Sequence, residues 1–360
     1  MKKFNCVLLL VFGLSQIFPV FSQDHFFDTD RADWWNEEWI PAYQIKSTAL
    51  DMDFIRVKKN KLVNENDEIL VFKGLSIADP DKIVKDGRWS KAHFEVIKSW
   101  GATLVRIPVH PLALRQRGIK NYLKLLDQAV DWCSELGIYV IIDWHSIGNL
   151  QMEMFQHDIY ETTKRETYYF WKTIARHYKD IPTVAFYEIY NEPTVFNGTL
   201  GSCTWEEWKK IAEDIIDIIY AHDNKVIPLV GGFNWAYDLR NMEYNPIARP
   251  GVAYVTHPYP GKCEPPRENH WEEHFGFLTE RYPILATELG YFFEGEEHLI
   301  EDGTYREAIV NYFEQKGISW CAWVFDPNWV PQMIKNYDYE PTHQGAFFKE
   351  VMLGNYKFRE

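Results

Sequence analysis

Short runs of Val, Ile, Leu and aromatic residues recur along this chain, each followed by a longer segment of mixed polarity. The short runs are apolar on both faces, which predicts strands of a parallel sheet covered by helices. Eight are predicted, at 69–77, 102–110, 138–146, 184–192, 226–233, 252–259, 283–290 and 318–325. Between them, apolar residues return at helical spacing, most clearly at 119–136, 159–178, 204–222 and 304–316. Gly137 supplies a stop for the first of these helices, and Thr204 with Glu207 a capping box for the third. The segment 237–248 is weakly patterned and is expected to be mostly loop.

Alternating strand and helix units imply a parallel sheet. Eight of them over roughly 280 residues suit a closed barrel better than an open doubly wound sheet. An open sheet would also want a glycine-rich phosphate loop after its first strand, and the stretch KGLSIADPD has none. The predicted fold is therefore α/β, a single (β/α)8 TIM barrel. Ahead of it, 55–57 and 69–72 flank the polar stretch Asn64 to Asp67, which predicts a short N-terminal hairpin extension. No linker, low-complexity run or charge block divides residues 23–360, so one domain is expected there.

Composition narrows the partners. Aromatic residues form 16% of the 360 residues, with 15 Trp, 21 Tyr and 23 Phe. Such a surplus suggests flat faces used for stacking, against sugar rings or nucleobases. A net charge of −14 decides between them, because the chain would repel a phosphate backbone. Nucleic acid is excluded as a partner, and a polysaccharide or oligosaccharide is expected.

The first 22 residues read as a secretory signal peptide. Lys2 and Lys3 form the charged start, 7–14 the apolar centre, and Val20 and Ser22 suit cleavage after Ser22. Cleavage would take the charge from −14 to −16. No other apolar run approaches the length of a membrane span. A secreted, monomeric protein is expected, extracellular or periplasmic. Of the four cysteines beyond the signal, Cys133 and Cys321 lie in apolar segments and are expected to be buried. Cys203 and Cys263 lie in polar loops where an oxidising compartment would allow a disulfide.

Barrel enzymes place their chemistry at the C-terminal ends of the strands. Read in order, those ends carry Arg106, then Asp143, Trp144 and His145, then Asn191 and Glu192. Trp235 follows strand five, His257 and Tyr259 end strand six, Glu288 strand seven, and Trp323 and Asp326 strand eight. Glutamates on strands four and seven would face each other across the barrel mouth. Paired carboxylates among hydrogen-bonding and aromatic neighbours suit glycosidic bond hydrolysis. One must hold a proton for the leaving oxygen while the other stays ionised to attack the anomeric carbon. Arg106 would keep Glu288 charged by lowering its pKa, and burial would raise that of Glu192. Asn191 would hydrogen-bond the sugar 2-hydroxyl.

These positions resemble glycoside hydrolase family 5, retaining (β/α)8 β-glycanases that include many cellulases. The resemblance runs from the hairpin to Trp323 and rests on Asn191-Glu192-Pro193, Thr287-Glu288, Gly290 and Trp323. Arg106, His145, His257 and Tyr259 fall where the family carries supporting residues. The resemblance implies Glu192 as acid/base, Glu288 as nucleophile and Tyr259 as hydrogen-bond partner of the nucleophile. It implies that His145, His257 and Trp323 shape the subsite before the scissile bond.

The alternatives are a metal-dependent barrel hydrolase and a carbohydrate-binding barrel without catalysis. The first needs a His-x-His pair ending strand one, and GLSIAD has no histidine. No metal and no cofactor are expected. The second usually lacks one of the two glutamates, and both are present. Trp144, Trp235, Trp271 and Trp329 are each open to sugar stacking or to packing, and Trp34, Trp35 and Trp39 are expected to pack on the barrel. The expected activity is an endo-β-1,4-glucanase. Mannan, mixed-linkage or β-1,3-glucan and substituted cellulosic backbones come next, because 79–89 and the loop around Cys263 depart from the simplest cellulase pattern.

Overall fold

The computed structural model describes residues 34–36 and 40–357. The predicted signal peptide and Trp39 lie outside the described residues.

The N-terminal extension is a three-stranded antiparallel meander: β1 (Arg56–Lys58), β2 (Lys61–Val63) and β3 (Ile69–Leu70). The predicted hairpin is thus one strand short, because Lys61–Val63 intervenes between the two runs and pairs with both. Asn64 closes the second turn by accepting from the amides of Asn66 and Glu68. The meander plugs the barrel floor. Leu62 and Phe72 pack with Leu104, Phe186, Leu229 and Cys321, the inward residues at the N-terminal end of the strands.

The chain then alternates as predicted. β4 (Lys73–Ile77) leads through α1 (Pro80–Lys85) and α2 (Lys91–Ser99) to β5 (Leu104–Val109). After β5 come α3 (Pro111–Arg117), α4 (Ile119–Leu136) and β6 (Tyr139–Trp144). A small hairpin, β7 (Ile147–Asn149) and β8 (Met154–Phe155), precedes α5 (Lys164–His177) and β9 (Val184–Glu188). β10 (Glu192–Pro193), α6 (Trp205–Tyr220), β11 (Ile227–Gly231), the single turn α7 (Asn241–Tyr244) and β12 (Ala253–Thr256) follow. The last units are α8 (Arg267–His274), β13 (Ile284–Ala286), α9 (Tyr305–Lys316), β14 (Ser319–Phe325) and α10 (His343–Met352). The eight strands β4, β5, β6, β9, β11, β12, β13 and β14 form a closed parallel barrel, β14 pairing back onto β4. The stretch 79–89, expected as loop, is capped into a helix by Asp79, whose carboxylate accepts from the Asp81 amide.

One departure from the predicted strands matters for the site. The run 184–192 does not continue as one strand; β9 stops at Glu188. After a turn, Glu192 pairs in parallel with Ile147 of the β7–β8 hairpin, outside the barrel. The hairpin therefore fixes the height and direction of Glu192 above the barrel mouth.

Among the described residues no helix is long and apolar enough to cross a membrane. Trp34 and Trp35 pack against α5, as expected. The Trp34 indole donates to Glu166, and Trp35 stacks on Tyr169.

Candidate active site

The upper half of the barrel interior is charged, in contrast to its apolar floor. Arg106, on β5, is fully buried at its centre. Its Nε and Nη2 grip Glu188 at 2.7 and 3.1 Å, and Nη1 reaches Glu288 at 2.8 Å. Nη2 also donates to Asn191 Oδ1 at 2.6 Å and lies 2.9 Å from Asp143. Burial opposes the guanidinium charge, but Asp143, Glu188 and Glu288 more than offset it. A planar donor fork is the one side chain able to hold so many acceptors in fixed directions.

A second chain of hydrogen bonds joins the predicted acid to the same network. His257 Nδ1 lies 2.9 Å from Glu192 Oε1, and Nε2 lies 2.9 Å from Thr287 Oγ1. The Thr287 hydroxyl donates to Glu188 Oε1 at 2.9 Å. Burial would raise the Glu188 pKa, but Arg106 and His257 hold it below the ordinary range, so Glu188 is an ionised acceptor. The threonine proton is thereby committed, and Nε2 must carry a hydrogen and donate. One proton then lies between Nδ1 and Glu192, as imidazolium with carboxylate or as imidazole with carboxylic acid. Burial disfavours the imidazolium, yet Glu288, Glu188 and Glu192 outweigh it and raise His257 to about 9.

Glu288 accepts from Arg106 through Oε1 and from the Tyr259 hydroxyl through Oε2 at 2.9 Å. One carboxylate oxygen of Glu192 and one of Glu288 lie within 4.8 Å of each other. The expectation that Arg106 depresses the Glu288 pKa is corrected here. His257 and Arg106 do pull it down, but burial, with Glu192 and Glu188 adding, pushes it above the ordinary range. A carboxyl removed from water loses more than two cations already shared with other carboxylates return.

His145 Nδ1 lies 2.6 Å from Asp143 Oδ2, and the ring stacks on Trp323, 5.2 Å between centroids and 4° from parallel. Burial, reinforced by the positive fields of His110, Arg106 and His257, keeps it neutral. Trp323 is pinned by its indole N–H to the Val330 carbonyl and stacks on Trp329.

These groups line one cleft of about 1000 Å³ at the C-terminal end of the barrel. It brings together His145, Asn191, Glu192, Tyr259, Glu288, Trp235 and Trp323, as predicted, with Arg106 and His257 directly beneath. Trp144 and Trp271 are not part of it. Trp144 stacks on Phe170, and Trp271 packs among Tyr305 and Tyr312 in the core. Asp326 turns away to bind Lys82 and Tyr337 and to cap the loop carrying Trp329. Cys203 and Cys263 are not joined; all four described cysteines are thiols.

Sequence reasoning missed Glu188, Tyr160, Gln156, Lys262 and His110. Glu188 carried a signal, since a carboxylate in the middle of an apolar strand run needs a buried cation. His110 closes a predicted strand and Tyr160 falls in a predicted helical segment, but nothing in the pattern aims either at the cleft; Gln156 and Lys262 come from loops whose course the sequence pattern does not specify.

A closed (β/α)8 barrel with paired glutamates across its mouth, held by arginine, histidine and tyrosine, is the architecture of a glycoside hydrolase. The comparisons make this specific. The family described as Cellulase (glycosyl hydrolase family 5) matches residues 63–328, and the chain belongs to that family. A β-glucanase from Saccharophagus degradans has 44% identity, a TM-score of 0.86, and covers 89% of this chain and 99% of its own. That enzyme has also been solved in complex with cellotetraose. Endoglucanase A of Butyrivibrio fibrisolvens is 28% identical over 250 residues, 64% of this chain and 52% of that protein. Endoglucanase A of Evansella cellulosilytica is 27% identical over 233 residues, 62% of this chain and 42% of that protein. The chain spans about half the length of these curated relatives.

Proposed function

We propose that the protein is a secreted, retaining endo-β-glycanase that hydrolyses β-1,4-glucan-type polysaccharide by double displacement. The observation that carries this reading is the Glu192–Glu288 pair, with carboxylate oxygens within 4.8 Å and unlike hydrogen-bond partners. An inverting enzyme needs carboxyl groups about 6.5–9.5 Å apart to admit a water, whereas retaining pairs lie about 5–5.5 Å apart.

In the first step Glu288 attacks the anomeric carbon, forming a glycosyl ester as the bond to the leaving oxygen breaks. Glu192 gives that oxygen the proton it shares with His257, so the leaving chain departs as a neutral alcohol. In the second step Glu192 takes a proton from water, whose oxygen attacks the same carbon and expels Glu288. Arg106 and Tyr259 keep Glu288 oriented for attack. Buried Asn191 Nδ2 has no partner among the described residues, and the sugar 2-hydroxyl suits it as acceptor. Trp323, Trp329 and Trp235 offer stacking faces for sugars.

The glucan assignment is supported by relatives named endoglucanases and by the neighbour's cellotetraose complex. A mixed-linkage glucan is the second reading, favoured because the 44% identical neighbour is a β-glucanase. Export is supported by the charged start and apolar centre of residues 1–22. A digest of carboxymethylcellulose, mixed-linkage glucan, glucomannan and laminarin, with product sizing and the anomeric configuration read by NMR, tests the reading. Retained β-configuration and early fall in viscosity are expected on one β-1,4-containing glucan. An α-configured first product, or release of monosaccharide only, would refute it.

A further inference from the structure

The cleft has two unlike halves. Above β14, β5 and β6 it is enclosed by Trp323 and His145, 8% and 3% exposed, with Trp329 over them. Above β11 and β12 it is more open, lined by Asn234, Trp235, Gly261 and Lys262.

On that open side Asn234, Trp235 and Ala236 stand consecutively at φ of 59°, 54° and 58°. Three successive non-glycine residues in the left-handed region crowd their Cβ atoms against the backbone. Such a turn persists only where its surroundings over-determine it. Those surroundings come from three other loops. The Pro193 carbonyl accepts from the Trp235 amide at 3.2 Å, and Phe196 meets the indole edge-on. Gln156 accepts from the indole N–H at 2.9 Å. Lys262 donates from Nζ to the Asn234 carbonyl at 2.9 Å and lies 4.6 Å from the Trp235 ring centroid.

We propose that Lys262 is a positioning residue: its ammonium locks the left-handed turn and holds Trp235 as the platform for the departing chain. The inference rests on the hydrolytic reading above. Trp235 is tied to Pro193, next to Glu192, and Glu192 gives its proton to the leaving oxygen. The open half is also the half from which a product can leave without crossing the enclosed sugar. Burial lowers Lys262 to about 8 against the pull of Glu192 and Glu288, so it is cationic at neutral pH. Both of its contacts are then charge-assisted.

Lys262→Met keeps the aliphatic stem and removes the ammonium; Lys262→Arg keeps a cation with similar reach. Each variant, with Trp235→Ala, is assayed on a soluble β-glucan and on an aryl cellotrioside whose nitrophenol leaving group carries no sugar. KM on the glucan rises about tenfold in K262M and W235A, the size of a lost ring contact. The loss in kcat/KM on the glucan exceeds that on the aryl substrate by a similar factor, and K262R recovers most of it. Equal losses on both substrates, or K262R as poor as K262M, would overturn the assignment. Calorimetric binding of cellohexaose to E288Q and to E288Q/K262M needs no turnover. Affinity about tenfold weaker in the double variant is expected, and equal affinity would overturn the role of Lys262. Failure of E288Q to bind cellohexaose at all would instead overturn the glucan reading itself.

Discussion

His257→Gln tests the proton that Glu192 and His257 share. In the folded protein the imidazolium is favoured by three carboxylates, which raise His257 from 6.5 to about 9. At about 1.4 kcal/mol per pKa unit, this corresponds to roughly 3 kcal/mol of interaction with the charged ring. Its folded pKa lies above the unfolded value, so the stabilisation is fully present below about pH 6.5. It is lost as pH rises through about 9. Urea denaturation at pH 6, 7.5 and 9 should therefore show wild type losing up to about 3 kcal/mol relative to H257Q across that window. Lys262, held at about 8 by burial, titrates in both proteins and cancels in the difference. Activity follows the same proton. On the aryl cellotrioside, where Lys262 has no departing sugar chain to hold, the alkaline limb of kcat/KM should lie near pH 9 in wild type and move to lower pH by about a unit or more in H257Q. Parallel stability curves for the two proteins, or an unmoved alkaline limb, would refute the shared-proton arrangement.

Arg106→Lys keeps the charge but loses the fork that holds Glu188, Glu288 and Asn191. It should cost about 3 kcal/mol in chemical denaturation and lower kcat by about a hundredfold. Glu192→Gln should reduce kcat on glucan by about 10²–10⁴-fold, and by much less on a nitrophenyl glycoside, measured side by side. Gly74→Ala should prevent stable folding or lower stability by about 3 kcal/mol, seen as a fall in Tm, because a Cβ there strikes the Leu104 backbone carbonyl between β4 and β5. A reducing agent should leave Tm unchanged, since Cys203 and Cys263 are thiols; a clear drop in Tm would place a disulfide between them.

Much of the barrel was legible because its signals are local. A run such as VAFYE can only be buried on both faces, and a barrel's eight such runs recur at regular spacing along the chain. The strand ends then followed by counting, which put His145, Glu192, Tyr259 and Glu288 at one opening with Arg106 beneath it. What remained hidden depends on partners distant in sequence. That Glu188 anchors Arg106, 82 residues away, is a property of the closed barrel and of no local pattern. That 184–192 breaks after Glu188 is decided by the β7–β8 hairpin, which captures Glu192. The Cys203–Cys263 pairing failed, and the choice between sugar stacking and packing for Trp144 and Trp271 stayed open, for the same reason: polarity and aromaticity do not report direction. The sequence by itself determined the barrel, its family and the two glutamates, because hydrophobic period and residue order are written along the chain. Only the tertiary structure decided the hydrogen-bond chain from Glu192 through His257 and Thr287, the raised pKa of Glu288, and the left-handed turn that presents Trp235. Those depend on burial and on distances between groups, quantities that exist only once the chain has closed on itself.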